Sequence, residues 1–116
     1  MLRGEIHWVD LDPALGGEAD NMRPAVIVSN DGANTTAARL GHGVVTVVPI
    51  TTSIDRIYPF QVLLPAAETG LDRDSKAQAE QVRAFFLVVR VRDRIGSIPA
   101  PRMLEVNDAL RLHLAP

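Results

Sequence analysis

Apolar residues recur in short runs, several with a period of two, and once with a helical period. Residues 5–11, "EIHWVDL", alternate as a half-buried strand with Ile6 and Trp8 on one face, and Asp12-Pro13 ends it. Residues 14–22, "ALGGEADNM", hold two adjacent glycines and no periodicity, which predicts a loop. Residues 24–29 predict a second, apolar strand, whose leading proline forfeits no ladder bond. Residues 31–41 mix turn formers with "TTAARL", one or two helical turns. Residues 43–50, "GVVTVVPI", are β-branched and predict a third strand that Pro49 disturbs near its end. Further strands are predicted over 58–64, over 77–86 with Gln78, Glu80 and Arg83 as polar insertions, and over 94–98. Pro101 suits the first turn of a helix. Met103, Val106, Leu110 and Leu114 then follow at helical spacing, so the chain closes on an amphipathic helix of roughly three turns.

Many short strands, Gly/Pro turns and one late helix describe a mainly β, α+β chain: a small antiparallel barrel with a helix packed on it. A length of 116 residues suits a single domain spanning 1–116, and there is no repeat, linker or low-complexity tract. Hydrophobic residues make up 47%, enough for a core, which excludes a disordered chain. No apolar run approaches the ~20 residues a membrane helix needs. The opening "MLRGEIHWVD" has a strand pattern and early acids, so no signal peptide is expected. The chain has no cysteine. That excludes disulfides, thiolate metal sites and cysteine nucleophiles, and fits a reducing cytoplasm.

Charge adds one local feature. The net charge of −2 gives no global field for nucleic acid. Residues 1–31 set Arg3 and Arg23 against six acids, a balance of −4, while residues 83–102 set five arginines against Asp93, a balance of +4. His7, His42 and His113 lack a paired-ligand spacing, so no metal site is expected. Phosphate-binding glycine loops and a nucleophile elbow are missing as well.

What remains is polar residues at strand ends. Arg23 sits where the loop meets the second strand, Thr51, Thr52 and Ser53 follow the third, and Glu18 lies in the glycine-rich loop. An arginine fork holds phosphate at any usable pH, and hydroxyls beside it can take the other oxygens. On spacing alone, "TTS" after a strand is more often just a turn.

The motifs together resemble a known family. "RGEIHWVDLDPALGGEADNMRPAVIVSND", residues 3–31, is similar to the opening of the MazF/PemK-type toxins, mRNA interferases of bacterial toxin–antitoxin pairs. "VVPITTS" (47–53), "AEQVRAF" (79–85) and "RIGSI" before the last helix resemble the later blocks, so the likeness covers nearly the whole chain. It implies a homodimeric SH3-like barrel of the CcdB/MazF type and a metal-independent, cofactor-free endoribonuclease, cytoplasmic, acting on single-stranded RNA and neutralised by a cognate antitoxin. By position it implies Arg23 and Thr51 as catalytic residues and Glu18 as the loop acid and candidate base. Gly16, Gly17, Asn30, Asn34, Thr52, Ser53 and Gln81 are the implied RNA contacts. The alternative on the same barrel is a non-catalytic CcdB-like gyrase poison, which has no need of the Arg23/Thr51 pair.

Two departures stand out. The family's Gly-Ser-Glu loop reads Gly16-Gly17-Glu18, without the serine hydroxyl. Where the family has an acidic and lysine-rich linker, residues 84–94 read "AFFLVVRVRDR". That apolar run fits a dimer surface, an antitoxin surface or a buried strand.

Overall fold

The computed structural model describes residues 1–10, 22–86 and 91–115. Among these lie seven strands and three helices. In chain order they are β1 (Glu5–Asp10), β2 (Met22–Ile27), α1 (Asp31–Leu40), β3 (Val44–Thr51), β4 (Gln61–Leu64), α2 (Ala66–Thr69), β5 (Ser75–Gln78), β6 (Arg83–Phe86), β7 (Val91–Ser97) and α3 (Ala100–Leu114). A 3-10 turn, Ala79–Gln81, separates β5 from β6.

All the pairings are antiparallel, in the order β4-β5-β3-β2-β1-β7, with β6 also on β3. β3 organises the sheet. One edge pairs with β2, from Ala25↔Pro49 to Ile27↔Val47. The other is divided, with β6 along Val44–Val47 and β5 at Ile50 and Thr51. Pro49 falls between those two partners, where the ladder is interrupted already, so a proline is tolerated there. The strand therefore runs through it to Thr51.

The sheet is buried on both faces, which is why β2 and β3 read as continuous apolar runs. Ile6, Val26, Val48, Ile50 and Leu64 pack on one side under Val106 and Ala109 of α3. Val9, Ala25, Ile27, Val45 and Val47 pack on the other with Ala37 of α1. Arg3 ties the layers together, its backbone N–H donating to Asp31, its Nε to the Val28 carbonyl and its Nη2 to Asn107. Gly96 of β7 lets the chain close on itself: an added Cβ would stand 1.9 Å from the Thr69 carbonyl oxygen.

The expected mainly β architecture with a C-terminal helix is present, and several boundaries differ. The expected one or two turns at 31–41 are a ten-residue helix. Asn30 caps it by accepting the Ala33 N–H at 2.8 Å, and Gly41 ends it at φ +71. The single strand expected over 77–86 is split by the 3-10 turn, because its halves pair with different stretches of β3. The strand expected from residue 58 begins at Gln61, and α2 and the start of β5 had no apolar signal. The last helix has 15 residues, about four turns. No helix among the described residues is long and apolar enough to cross a membrane.

Candidate active site

β2 extends two residues further towards its start than its apolar run. Met22, Arg23 and Pro24 pair with Asp10, Val9 and Trp8 of β1, whereas pairing with β3 begins only at Ala25. Arg23 thus stands on a segment held from one side. Carrying the Ala25↔Pro49 register two residues on sets Arg23 opposite Thr51, the last residue of β3.

Two adjoining depressions meet there. The larger, about 550 Å³, is walled by Trp8, Leu71 and Ile95 and carries Arg23, Arg73 and Arg94. The smaller, about 250 Å³, is lined by Arg23, Ile50, Thr51, Thr52 and Gln78. Pro24, Thr52 and Ser75 border both, so Arg23 stands between them.

The guanidinium of Arg23 is exposed, and its Nη1 donates to the Met22 carbonyl at 2.9 Å. Thr51 is half-buried, its Oγ1 accepting the Ser53 N–H at 3.3 Å, a bond that turns the chain directly after the strand. Among the described residues of the larger groove there are three arginines and one acid, Asp72. The described lining is cationic on a chain that is acidic overall.

Glu5 lies behind this region. Its Oε1 is 2.9 Å from His7 Nε2, and Arg94 approaches Oε2 at 4.0 Å. Burial alone would raise the carboxyl. The His7 hydrogen bond, a backbone hydrogen bond at Leu2, the N-terminal amine and Arg94 together outweigh it and hold the group below the usual glutamate value. His7 is itself buried, with Nδ1 2.9 Å from the Arg92 carbonyl, so the trio stitches β1 to β7.

The structure brings Arg23, Thr51 and Thr52 together; Ser53 follows them as an exposed residue. Gln81 is exposed at the end of the 3-10 turn. Glu18, Gly16 and Gly17 lie outside the described residues, as do positions 87–90 of the apolar run. Of the two asparagines only Asn34 is sealed; Asn30 is exposed. Asn30 caps α1. Asn34 is 0% exposed and occupied at both ends: Nδ2 donates to the Ser29 carbonyl at 2.8 Å, and Oδ1 accepts the Ser29 hydroxyl at 2.5 Å. This corrects its reading as an RNA contact, because a sealed amide offers nothing to solvent.

Sequence reasoning missed Trp8, Arg73, Ser75, Gln78 and Arg94. Alternation does set Trp8 on one face with Ile6, and Arg94 belongs to the basic stretch. Neither signal shows that β7 and the turn before β5 approach Arg23.

Similarity to known proteins agrees with this fold. Residues 2–114 match the family model for the PemK-like, MazF-like toxin of type II toxin-antitoxin systems, and the chain belongs to that family. It is 58% identical over 114 residues to Endoribonuclease MazF9 of Mycobacterium tuberculosis, covering 98% of this chain and 96% of that protein. Endoribonuclease EndoA of Bacillus subtilis is 31% identical, covering 97% and 93%. Among solved structures, an endoribonuclease in complex with its cognate antitoxin from a mycobacterial species superposes with a TM-score of 0.76 at 25% identity, over 99% of this chain and 95% of that one. MazF of Deinococcus radiodurans shares the fold, with a TM-score of 0.75 at 24% identity, over 100% and 97%.

Proposed function

We propose that this protein is the toxin of a type II toxin–antitoxin pair, a sequence-specific endoribonuclease that cuts single-stranded mRNA without a metal ion. The observation that carries the reading is Arg23 standing between two grooves with the Thr51 and Thr52 hydroxyls in the same lining. The endoribonuclease name of the 58% identical relative supports it.

RNA supplies its own nucleophile, the 2′-hydroxyl. Attack on the adjacent phosphorus breaks the bond to the 5′-oxygen, leaving a 2′,3′-cyclic phosphate and a free 5′-hydroxyl. Negative charge gathers on the non-bridging oxygens as this happens. The planar fork of Arg23 meets two of them, and a charge already in place costs no reorganisation at the moment of reaction. The Thr51 hydroxyl donates to a phosphate oxygen. Glu18 takes the 2′-hydroxyl proton, and the 5′-oxygen recovers one as it leaves. Arg73 and Arg94 guide the flanking phosphates. Two copies form the working homodimer in the cytoplasm. An acidic antitoxin segment that folds on binding covers the cationic groove.

The test is incubation of the purified protein with a long single-stranded RNA in EDTA, followed by end mapping. Discrete cuts with 5′-hydroxyl ends are expected. Arg23→Ala should lower kcat/KM by about 10²–10³-fold or more while the oligomer persists by size. Intact RNA together with inhibited gyrase supercoiling would replace this reading with the gyrase poison.

A further inference from the structure

The segment between Thr51 and β4 carries an aromatic stack that the mechanism above leaves unused. The Tyr58 and Phe60 rings are stacked, with centroids 5.4 Å apart and planes within 3°. The guanidinium carbon of Arg56 lies 5.7 Å from the Tyr58 ring centre, and its Nη1 donates to the Tyr58 hydroxyl at 3.3 Å. Tyr58 nevertheless remains 42% exposed. Single exposed aromatics are ordinary. Here two rings stack with parallel planes and a guanidinium lies over one of them, all in one loop, and Tyr58 stays open to solvent.

That loop is fastened from beneath. Lys76 of β5 is the cross-strand partner of Thr51 and is only 8% exposed. Its ammonium donates to the Arg56 carbonyl at 2.7 Å. The side chain of Gln61 accepts the Tyr58 N–H at 3.1 Å and donates to Glu80 at 2.7 Å. Burying an ammonium carries a desolvation cost, and an apolar side chain would fill the same space without it. What Lys76 adds is a fixed position for Arg56 and Tyr58 relative to Thr51.

We propose that Arg56, Tyr58 and Phe60 form a stacking subsite for one unpaired nucleobase of the RNA, beside the scissile phosphate, and that Lys76 is its positioning residue. The proposal rests on the ribonuclease reading. Every base offers a π face, so such a platform holds single strands with little regard to sequence. A guanidinium plane stacks as an aromatic ring does, or bonds the next phosphate.

Once end mapping has given a cut site, kcat/KM is measured on a short RNA containing it. Tyr58→Leu should lower kcat/KM about tenfold, chiefly through KM. Tyr58→Phe and Tyr58→Trp should stay near the wild type, since both keep a ring. Lys76→Met should reproduce part of the loss and Lys76→Arg should restore it. Tyr58 is the only tyrosine of the chain, so 3-fluorotyrosine labelling yields a single fluorine resonance. A 2′-O-methyl copy of the RNA, which has no nucleophile, should move that resonance. An abasic nucleotide at one position flanking the cut should abolish the movement. Cleavage by Tyr58→Leu at wild-type kcat/KM, with an unmoved resonance, would overturn the subsite alone. Absence of cleavage by the wild type would overturn the ribonuclease reading and the subsite with it.

Discussion

Replacing Asn34 with alanine separates a structural asparagine from an RNA-reading one. The side chain is fully buried in α1 and joins a chain of bonds. The Thr46 N–H donates to the Ser29 hydroxyl at 3.1 Å, that hydroxyl donates to Asn34 Oδ1, and Asn34 Nδ2 donates to the Ser29 carbonyl. Alanine removes the last two and strands a carbonyl, at about 1–3 kcal/mol. The small void left by the amide adds roughly 0.5–1 kcal/mol if the helix does not settle into it. The expected loss is therefore ~1.5–4 kcal/mol, a large fraction of a small domain's stability. Urea denaturation of both proteins at one protomer concentration measures it, as a lower midpoint at unchanged slope. Cleavage per folded molecule, assayed well below the transition, should match the wild type. Wild-type stability with lost cleavage would refute the reasoning and return Asn34 to the RNA.

Glu5 gives a pH signature. Its carboxyl is held below the ordinary value in the folded chain, so the charged form contributes stability above the unfolded-state pKa, and this is lost as pH falls through the lower folded value. Acid unfolding should therefore steepen below about pH 5 in the wild type, and less so in Glu5→Gln; identical profiles would remove the His7–Glu5–Arg94 contact from the account. Gly96→Ala places a methyl 1.9 Å from the Thr69 carbonyl, so β7 or the α2 turn must move. A loss of about 3 kcal/mol or more, or failure to fold, is expected on thermal melting, and a wild-type midpoint would show that the approach relaxes freely.

The parts of the fold legible in the sequence are those whose cause is local. β2 and β3 could be read because a strand buried on both faces is apolar throughout, and α3 because Met103, Val106 and Leu110 recur at helical spacing and pack on the core, while Leu114 of the same stripe is exposed. α1 was underread because "DGANTTAARL" is a weak helix former. Its caps at Asn30 and Gly41 and the burial of Asn34 and Ala37 make the helix. β5 was obscured because buried Ser75 and Lys76 look like surface residues in a sequence. The candidate site divides the same way. Arg23 and Thr51 could be named from motif blocks, and their meeting depends on a cross-strand register that no single stretch encodes. Arg73 and Arg94 enter the groove through a turn and an edge strand, and carry no motif.

The register also explains how an acidic chain can hold a polyanion. The grooves draw on β1, β2, β3, β5, β7 and the turn before β5, segments far apart in sequence. β1 contributes Trp8 and the others a cation or hydroxyl each, so the cationic lining is assembled from separate stretches of the chain. Of the acids in residues 1–10, Glu5 pairs with His7 and stands 4.0 Å from Arg94, so it offsets part of that arginine's charge. A local cationic groove attracts phosphate over roughly a Debye length, ~8–10 Å at physiological salt, whatever the net charge beyond it. The sheet supplies the other requirement. Apolar residues fill both of its faces, so Arg23 and Thr51 stand at the ends of strands that have little freedom to move apart. Fixed strand ends that converge from several elements are what let so small a domain hold preorganised charge.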